Sequence, residues 1–216
     1  MKTNKKIKAI IFDVGGVLAL GHYASKPQRN HRQTKVHEYM SKKLKIPVDQ
    51  YFDSLDTNYA LSIEGKVSRL KVVKSISKNL SISPSKLVKL FYKAYKKNFK
   101  QNKQLFKQAF KLKKQGYKIG ILSDQWHLSY EALMPEKLYN NFDKIVVSCN
   151  DNIKMRKPNP KIYKLILKKL KVKPGESLFI DNQNWNIIPA KKLKMKTILF
   201  KSNKQLFNEK KWKELF

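Results

Sequence analysis

Five short apolar runs, each ending on or followed by a polar residue, set the tightest limit on how this chain folds. They are 8–12 before Asp13, 117–123 before Asp124, 145–148, 178–180 before Asp181, and 197–200. Each is too short for a helix and rich in the β-branched and aromatic residues that suit a strand buried on both faces. Amphipathic stretches separate several of them. Leu105, Phe106, Ala109, Phe110 and Leu112 recur at helical spacing up to Gly116, and Ile162, Tyr163, Ile166, Leu167 and Leu170 do so after Pro160. Strands alternating with helices predict an α/β fold, a Rossmann-like parallel sheet of about five strands with helices on both faces. Ligands of such sheets bind beyond the carboxyl ends of the strands. Asp13, Ser123 and Asp181 each stand at one of those ends.

The first crossover is far longer than one helix requires. After a polar, loop-like GHYASKPQRNHRQ come four groups of helically spaced apolar residues. These are Val36, Tyr39, Met40 and Leu44; then Tyr51, Phe52 and Leu55; then Val67, Leu70, Val73, Ile76 and Leu80; then Leu87, Val88, Phe91, Ala94 and Tyr95. The last group follows Ser83-Pro84, a cap residue with proline in the first helical turn. The pattern predicts a helical cap over residues 21–96, inserted after the first strand, with the core domain in two parts, 1–20 and 97–216. His37 reads as a surface position on its helix. Leu206, Phe207, Trp212, Leu215 and Phe216 predict one last helix against the sheet.

The net charge of +33 comes from 48 lysines and arginines against 15 acids, yet only Arg29, Arg32, Arg69 and Arg156 are arginine. The lysines spread along the chain in doublets such as Lys42-Lys43 and Lys113-Lys114. A dedicated reader of phosphates or bases favours the arginine fork. The excess therefore reads as solvated helix faces, with nucleic acid a partner only through non-specific charge. Cys149 is the single cysteine, which excludes an internal disulfide or a cysteine-rich metal site and suits a small buried hydrophobe. No apolar run approaches the ~20 residues that cross a bilayer. The basic start leads directly into Asp13 without a cleavage site, so it reads as the first strand and the expected location is cytoplasmic. Oligomeric state is not legible.

No GxGxxG follows the first strand and no GxxxxGK[ST] occurs, which excludes the usual dinucleotide and Walker-type nucleotide sites. Instead FDVGGVL, ILSD, MRKPNPKIY and LFIDNQNWNIIPA occur in that order, each at the end of an expected element. Together, over about residues 7 to 200, they resemble the motifs of the haloacid dehalogenase-like hydrolases. The likeness is to the branch with a helical cap after the first strand, and within it to small sugar-phosphate phosphatases that carry glycine two residues after the nucleophile. The resemblance implies a metal-dependent phosphomonoester hydrolase acting through an aspartyl-phosphate on a small phosphorylated metabolite. Asp13 would be the nucleophile and Ser123 and Lys157 its catalytic partners. Mg2+ would be held by Asp13, Asp181 and the backbone carbonyl of Gly15. Val14, Gly15, Ser123, Asp124, Lys157, Asn182 and Asn186 would surround the substrate. His22, clustered with Tyr23, Arg29, His31 and Arg32, would supply a basic rim. The chemistry is coherent, because phosphoryl transfer needs an aligned nucleophile and positive charge around the equatorial oxygens. Magnesium suits hard oxygen ligands and keeps several waters.

One departure stands out. Phosphatases of the family usually place a second aspartate where this chain has Gly15, and that acid–base work is typically worth about 10²–10⁴-fold. Three readings stay open. The chain is a phosphatase whose leaving group needs little help, as with a sugar 1-phosphate. Or it is a non-catalytic relative that binds phosphate, a partner or nucleic acid. Or it has haloacid dehalogenase-like activity. Asp124, where the family commonly has a neutral amide, is an alternative proton route. Asn182 removes one charge from the usual acidic pair.

Overall fold

The computed structural model describes residues 7–21 and 35–216. The chain enters through β1 (Ala9–Phe12) and a short β2 (Ala19–Gly21). It then runs through α1 (Lys35–Leu44), α2 (Val48–Ser54), α3 (Thr57–Ile63), α4 (Arg69–Asn79) and α5 (Pro84–Asn98). It returns through β3 (Phe99–Gln101) to α6 (Lys103–Lys114), β4 (Lys118–Ser123), α7 (His127–Leu133), α8 (Glu136–Tyr139) and β5 (Lys144–Val147). Then follow α9 (Pro160–Leu170), β6 (Ser177–Asp181), α10 (Asn184–Lys192), β7 (Lys196–Leu199), α11 (Asn203–Asn208) and α12 (Lys210–Lys213).

The five apolar runs form one parallel sheet in the order β5-β4-β1-β6-β7. β1 lies at its centre and is wholly buried because both of its faces are covered. Ile10 and Phe12 pack toward α6, α11 and α12, while Ala9 and Ile11 pack toward α9 and α10. This is the doubly wound arrangement that apolar runs without alternation require. Phe12 is in register with Ile121 on one side and Ile180 on the other. The carboxyl ends of β1, β4 and β6 therefore finish side by side.

Helices α1 to α5 bury their stripes against one another, around Val36, Met40, Tyr51, Val72, Ile76 and Phe91, and against Trp126 and Leu128 beyond β4. Ser83 accepts a hydrogen bond from the Lys86 amide and Pro84 occupies the first turn of α5, as the pattern required. β2 and β3 pair antiparallel, so the chain leaves and re-enters the sheet domain along one short ribbon. The doublets Lys42-Lys43, Lys96-Lys97, Lys113-Lys114 and Lys191-Lys192 are exposed in the last turns of α1, α5, α6 and α10. There they complement the negative end of the helix dipole.

Several local expectations shift. Leu70 is 63% exposed, because Ser68 caps α4 and the buried stripe runs through Val72, Val73 and Ile76. The tail is two short helices, not one, interrupted where Glu209 takes an extended backbone; Trp212 and Leu215 are nevertheless buried. β2, β3 and α3 were not anticipated, since three-residue strands and one-stripe short helices carry almost no period. Among the described residues no helix is long and apolar enough to cross a membrane.

Candidate active site

The site grows out of the end of β1. The Asp13 amide donates to Ile180 O at 2.9 Å, extending the ladder one residue beyond the strand. The chain then turns sharply. Val14 O accepts from the amides of Val17 (3.1 Å) and Ala19 (2.8 Å), and Gly16 takes a φ of 84°, where a side chain would be strained. The backbone amide of Val14 donates to the Asp13 carboxylate.

Lys157, reached across the sheet from the loop before α9, sits at the centre. Its Nζ is 3.0 Å from Asp13 Oδ1 and 2.6 Å from Asp181 Oδ2, and donates to Leu122 O at 3.2 Å. An ammonium has three donors, and here all three are taken. The side chain is 1% exposed. Burial opposes its charge, but Asp13, Asp181 and Asp124 together hold it protonated well above the ordinary lysine range. Burial pushes the Asp13 carboxyl up to about 7, with Lys157 pulling it down and Asp181 adding to the rise.

Asp181 is fixed from the other side. Its Oδ1 accepts from the Gln183 amide at 2.7 Å, and Asn186 Nδ2 lies 3.2 and 3.1 Å from its two oxygens. Asn186 Oδ1 is buried with no hydrogen-bond partner among the described residues. Ser123 Oγ is buried at the end of β4 and accepts from Gln125 Nε2 at 3.0 Å, while the Gln125 amide donates to Ser148 Oγ at 3.0 Å.

A cleft of about 260 Å³ opens between sheet and helices; Asp13, Ser123, Lys157 and Asp181 are not in its wall, but chain neighbours of the first three are. Gly15, Asp124 and Arg156 line it from the sheet side, and His37 and Tyr59 from the helical side, with Trp126 between. Asp124 Oδ1 accepts from the Lys157 amide at 3.1 Å. Burial lowers His37 to about 4.

The fold thus brings Asp13, Lys157 and Asp181 into direct contact, places Ser123 beside the Leu122 carbonyl that Lys157 uses, and sets Gly15 and Asp124 in the cleft wall. Asn186 is buried, and its amide donates to Asp181, so it helps to position that acid. Asn182 follows Asp181, half-buried. His22, with Tyr23, Arg29, His31 and Arg32, lies outside the described residues. His37 is corrected, from helix surface to cleft wall. His127 turns away, its Nδ1 2.8 Å from Ser62 Oγ, and lines a different cavity with Cys149 and Asp151. Cys149 is buried and its thiol is pushed up to about 12 by that burial. Gln125, Tyr59 and Arg156 were missed; only Arg156, next to Lys157, carried any signal.

The donor chemistry suits a hard divalent cation. Asp13 and Asp181 outnumber the one ammonium between them, and Asn186 has an unpartnered amide oxygen among the described residues. Among the described residues no cluster of three or more His, Cys, Asp or Glu could hold a metal alone. Two carboxylates plus a backbone carbonyl and water match an ion that keeps much of its hydration.

A doubly wound sheet with a carboxylate–lysine–carboxylate cluster at its strand ends, roofed by a helical insert, defines a class of α/β hydrolases. A family model of the haloacid dehalogenase-like hydrolases matches residues 7–194, and the chain belongs to that family. The glyceraldehyde 3-phosphate phosphatase of Pyrococcus furiosus is 35% identical over 109 residues, covering 48% of this chain and 43% of that protein. The bifunctional epoxide hydrolase 2 of Rattus norvegicus is 35% identical over 103 residues, 45% of this chain but 18% of that protein. The chain therefore matches less than half the length of either relative. Among solved structures, a HAD family enzyme of Bacteroides thetaiotaomicron, crystallised with magnesium and inorganic phosphate, superposes with a TM-score of 0.69. The match has 21% identity and covers 91% of this chain and 96% of that one, a likeness of fold.

Proposed function

We propose that this chain is a magnesium-dependent phosphomonoester hydrolase acting through an aspartyl-phosphate on a small phosphorylated metabolite. The observation that carries the reading is Lys157, bridging Asp13 at 3.0 Å and Asp181 at 2.6 Å at the ends of the strands. Asp13 attacks phosphorus, Lys157 offsets charge on the phosphoryl oxygens, and Ser123 with the Gly15 amide donates to them. Asp13, Asp181 and the Gly15 carbonyl would hold the magnesium, which supplies charge neutralisation between nucleophile and phosphate. A cleft of about 260 Å³ suits a small metabolite, with the helical insert acting as a cap that selects it. The archaeal phosphatase relatives and the magnesium–phosphate complex of the fold neighbour support the same reading.

The test is phosphate release across sugar 1-phosphates, sugar 6-phosphates, triose phosphates and an aryl phosphate, with magnesium and with chelator. Release that needs magnesium and disappears in Asp13→Asn is expected. Release in no case, or release unchanged in Asp13→Asn, overturns the proposal. Gly15 favours one second reading, because displacement of halide needs no acid at that position. A (S)-2-haloacid dehalogenase of Burkholderia cepacia is 32% identical over 89 residues. Chloride release from 2-chloropropionate in the same screen would favour that reading instead.

A further inference from the structure

We infer that Asp124 performs the proton transfer that position 15 cannot, donating to the leaving oxygen and then receiving a proton from the attacking water. The inference rests on the phosphatase reading above. Gly15 and Asp124 line the same small cleft. A Cβ built on Gly15 would meet no atom within 4 Å, and Gly15 is not among the residues with positive φ. Neither space nor backbone demands glycine there, so the missing side chain leaves open space in the wall of the cleft that Asp124 also lines.

The other titratable groups of the described lining are poorly suited. Arg156 does not release its proton near neutrality. Burial raises the hydroxyls of Tyr59, to about 12, and of Tyr95, which already accepts from Trp126 Nε1 at 2.7 Å. His37 is neutral by burial and its Nδ1 is 3.3 Å from the Tyr51 hydroxyl. Lys157 has all its donors occupied. Asp124 is the sole carboxyl among the described lining residues, and the stretch 22–34 contains neither Asp nor Glu.

Asp124 is also held correctly. The Lys157 amide pins its Oδ1 at 3.1 Å, and its second oxygen has no partner among the described residues. Burial raises its pKa above the usual carboxylate range, against the opposing pull of Lys157 and Arg156 and with a further rise from Asp181. A raised carboxyl is what an acid working near neutrality requires. The groups that face it are Lys157 and Arg156 on the loop before α9, Tyr163 on α9, Asp181 on β6, and His37 and Tyr59 across the cleft.

The steps balance. An Asp13 oxygen bonds to phosphorus as the bond to the leaving oxygen breaks, and that oxygen takes the Asp124 proton to leave as an alcohol. A water oxygen then bonds to phosphorus, the Asp13–phosphorus bond breaks, and the water proton returns to Asp124. One water is consumed and inorganic phosphate is formed.

Four proteins decide it, all with magnesium chloride: wild type, Asp124→Asn, Gly15→Asp, and the double variant. Asparagine keeps an Oδ1 for the Lys157 amide, so the wall remains pinned. Glycerol 3-phosphate has a poor leaving group and 4-nitrophenyl phosphate a good one. Asp124→Asn is expected to lose about 10²-fold or more in kcat on the glycerol ester but under about 10-fold on the aryl ester. The limb of the kcat–pH profile that reports the protonated acid should disappear, and Gly15→Asp in the double variant should restore at least about 10-fold on the glycerol ester. An equal loss on both esters, or no loss on the glycerol ester, overturns the inference while leaving the phosphatase reading intact. If wild type cleaves neither ester, the same loss and rescue are read on whichever alkyl phosphate of the screen above it does cleave, and release from none of them sinks that reading and this inference with it.

Discussion

One ion-pair cluster lies at the strand ends and another between the insert and α7, and their difference shows what surroundings do to one kind of interaction. At the strand ends, Lys157 lies between Asp13 and Asp181 with its side chain 1% exposed and every donor matched. On the helical side, Arg69 of the insert meets Glu131 of α7 at 2.6 and 3.1 Å, with the side chains 44% and 28% exposed and the Tyr92 hydroxyl sharing Glu131. Charges at the strand ends have left water, so each depends on its partner and none can be removed alone. The Arg69 pair keeps its hydration and is screened, so it forms and breaks at little cost. The strand-end cluster is rigid where alignment of reacting atoms matters. The insert is tied down by exchangeable contacts and by close packing.

That contrast can be broken or sharpened by measurement. The largest effect belongs to Lys157→Met, which leaves two buried carboxylates uncompensated. Urea unfolding should show a loss of about 3–5 kcal/mol, and phosphate release should fall by on the order of 10²-fold or more. Near-native stability would mean that the strand-end cluster is not the low-dielectric site described.

Next comes Gly65→Ala, at the turn between α3 and α4. Gly65 has a φ of 65°, and an added Cβ would lie 2.6 Å from Asn150 O and 2.9 Å from Ser148 O, both backbone atoms of the sheet domain. Strain of this kind costs about 1–3 kcal/mol. Faster amide exchange around 62–68 and 148–150, with the sheet strands unaffected, is the expected signature. Unchanged exchange there would show that the turn has room to move away.

The smallest effect is expected from Arg69→Ala in a double-mutant cycle with Glu131→Ala. The coupling should be below about 1 kcal/mol and shrink further as salt rises. A coupling that is larger and indifferent to salt would erase the distinction between the two pairs.

Much of the sheet was legible because burial on both faces leaves a continuous apolar run, and Asp13, Ser123 and Asp181 mark where three of the runs give way to polar groups. α5 and α9 were legible for a similar local reason, a capping residue followed by proline. β2 and β3 were not, since three residues show no alternation, and Leu70 misled because it is one of several apolar residues competing for one stripe. The cleft wall was read least well. His37 looked like a surface residue from its own helix, and only the packing of α1 against α2, where it meets Tyr51 and Phe52, partly buries it. Asn186 sits within a recognisable motif, yet which oxygen its amide meets depends on how α10 packs beneath β6.

By itself, then, the sequence determined the alternating α/β architecture, the polar residues that end three strands, and the lack of an acid at position 15. Those properties are written within single elements, as burial and as side-chain chemistry. Only the tertiary structure decided that one ammonium touches Asp13 and Asp181, that Gly15 and Asp124 line one cleft, and that the insert presents His37 and Tyr59 to the same space. Such contacts join residues far apart in the chain, and they follow from strand order, crossovers and helix packing that no local pattern encodes.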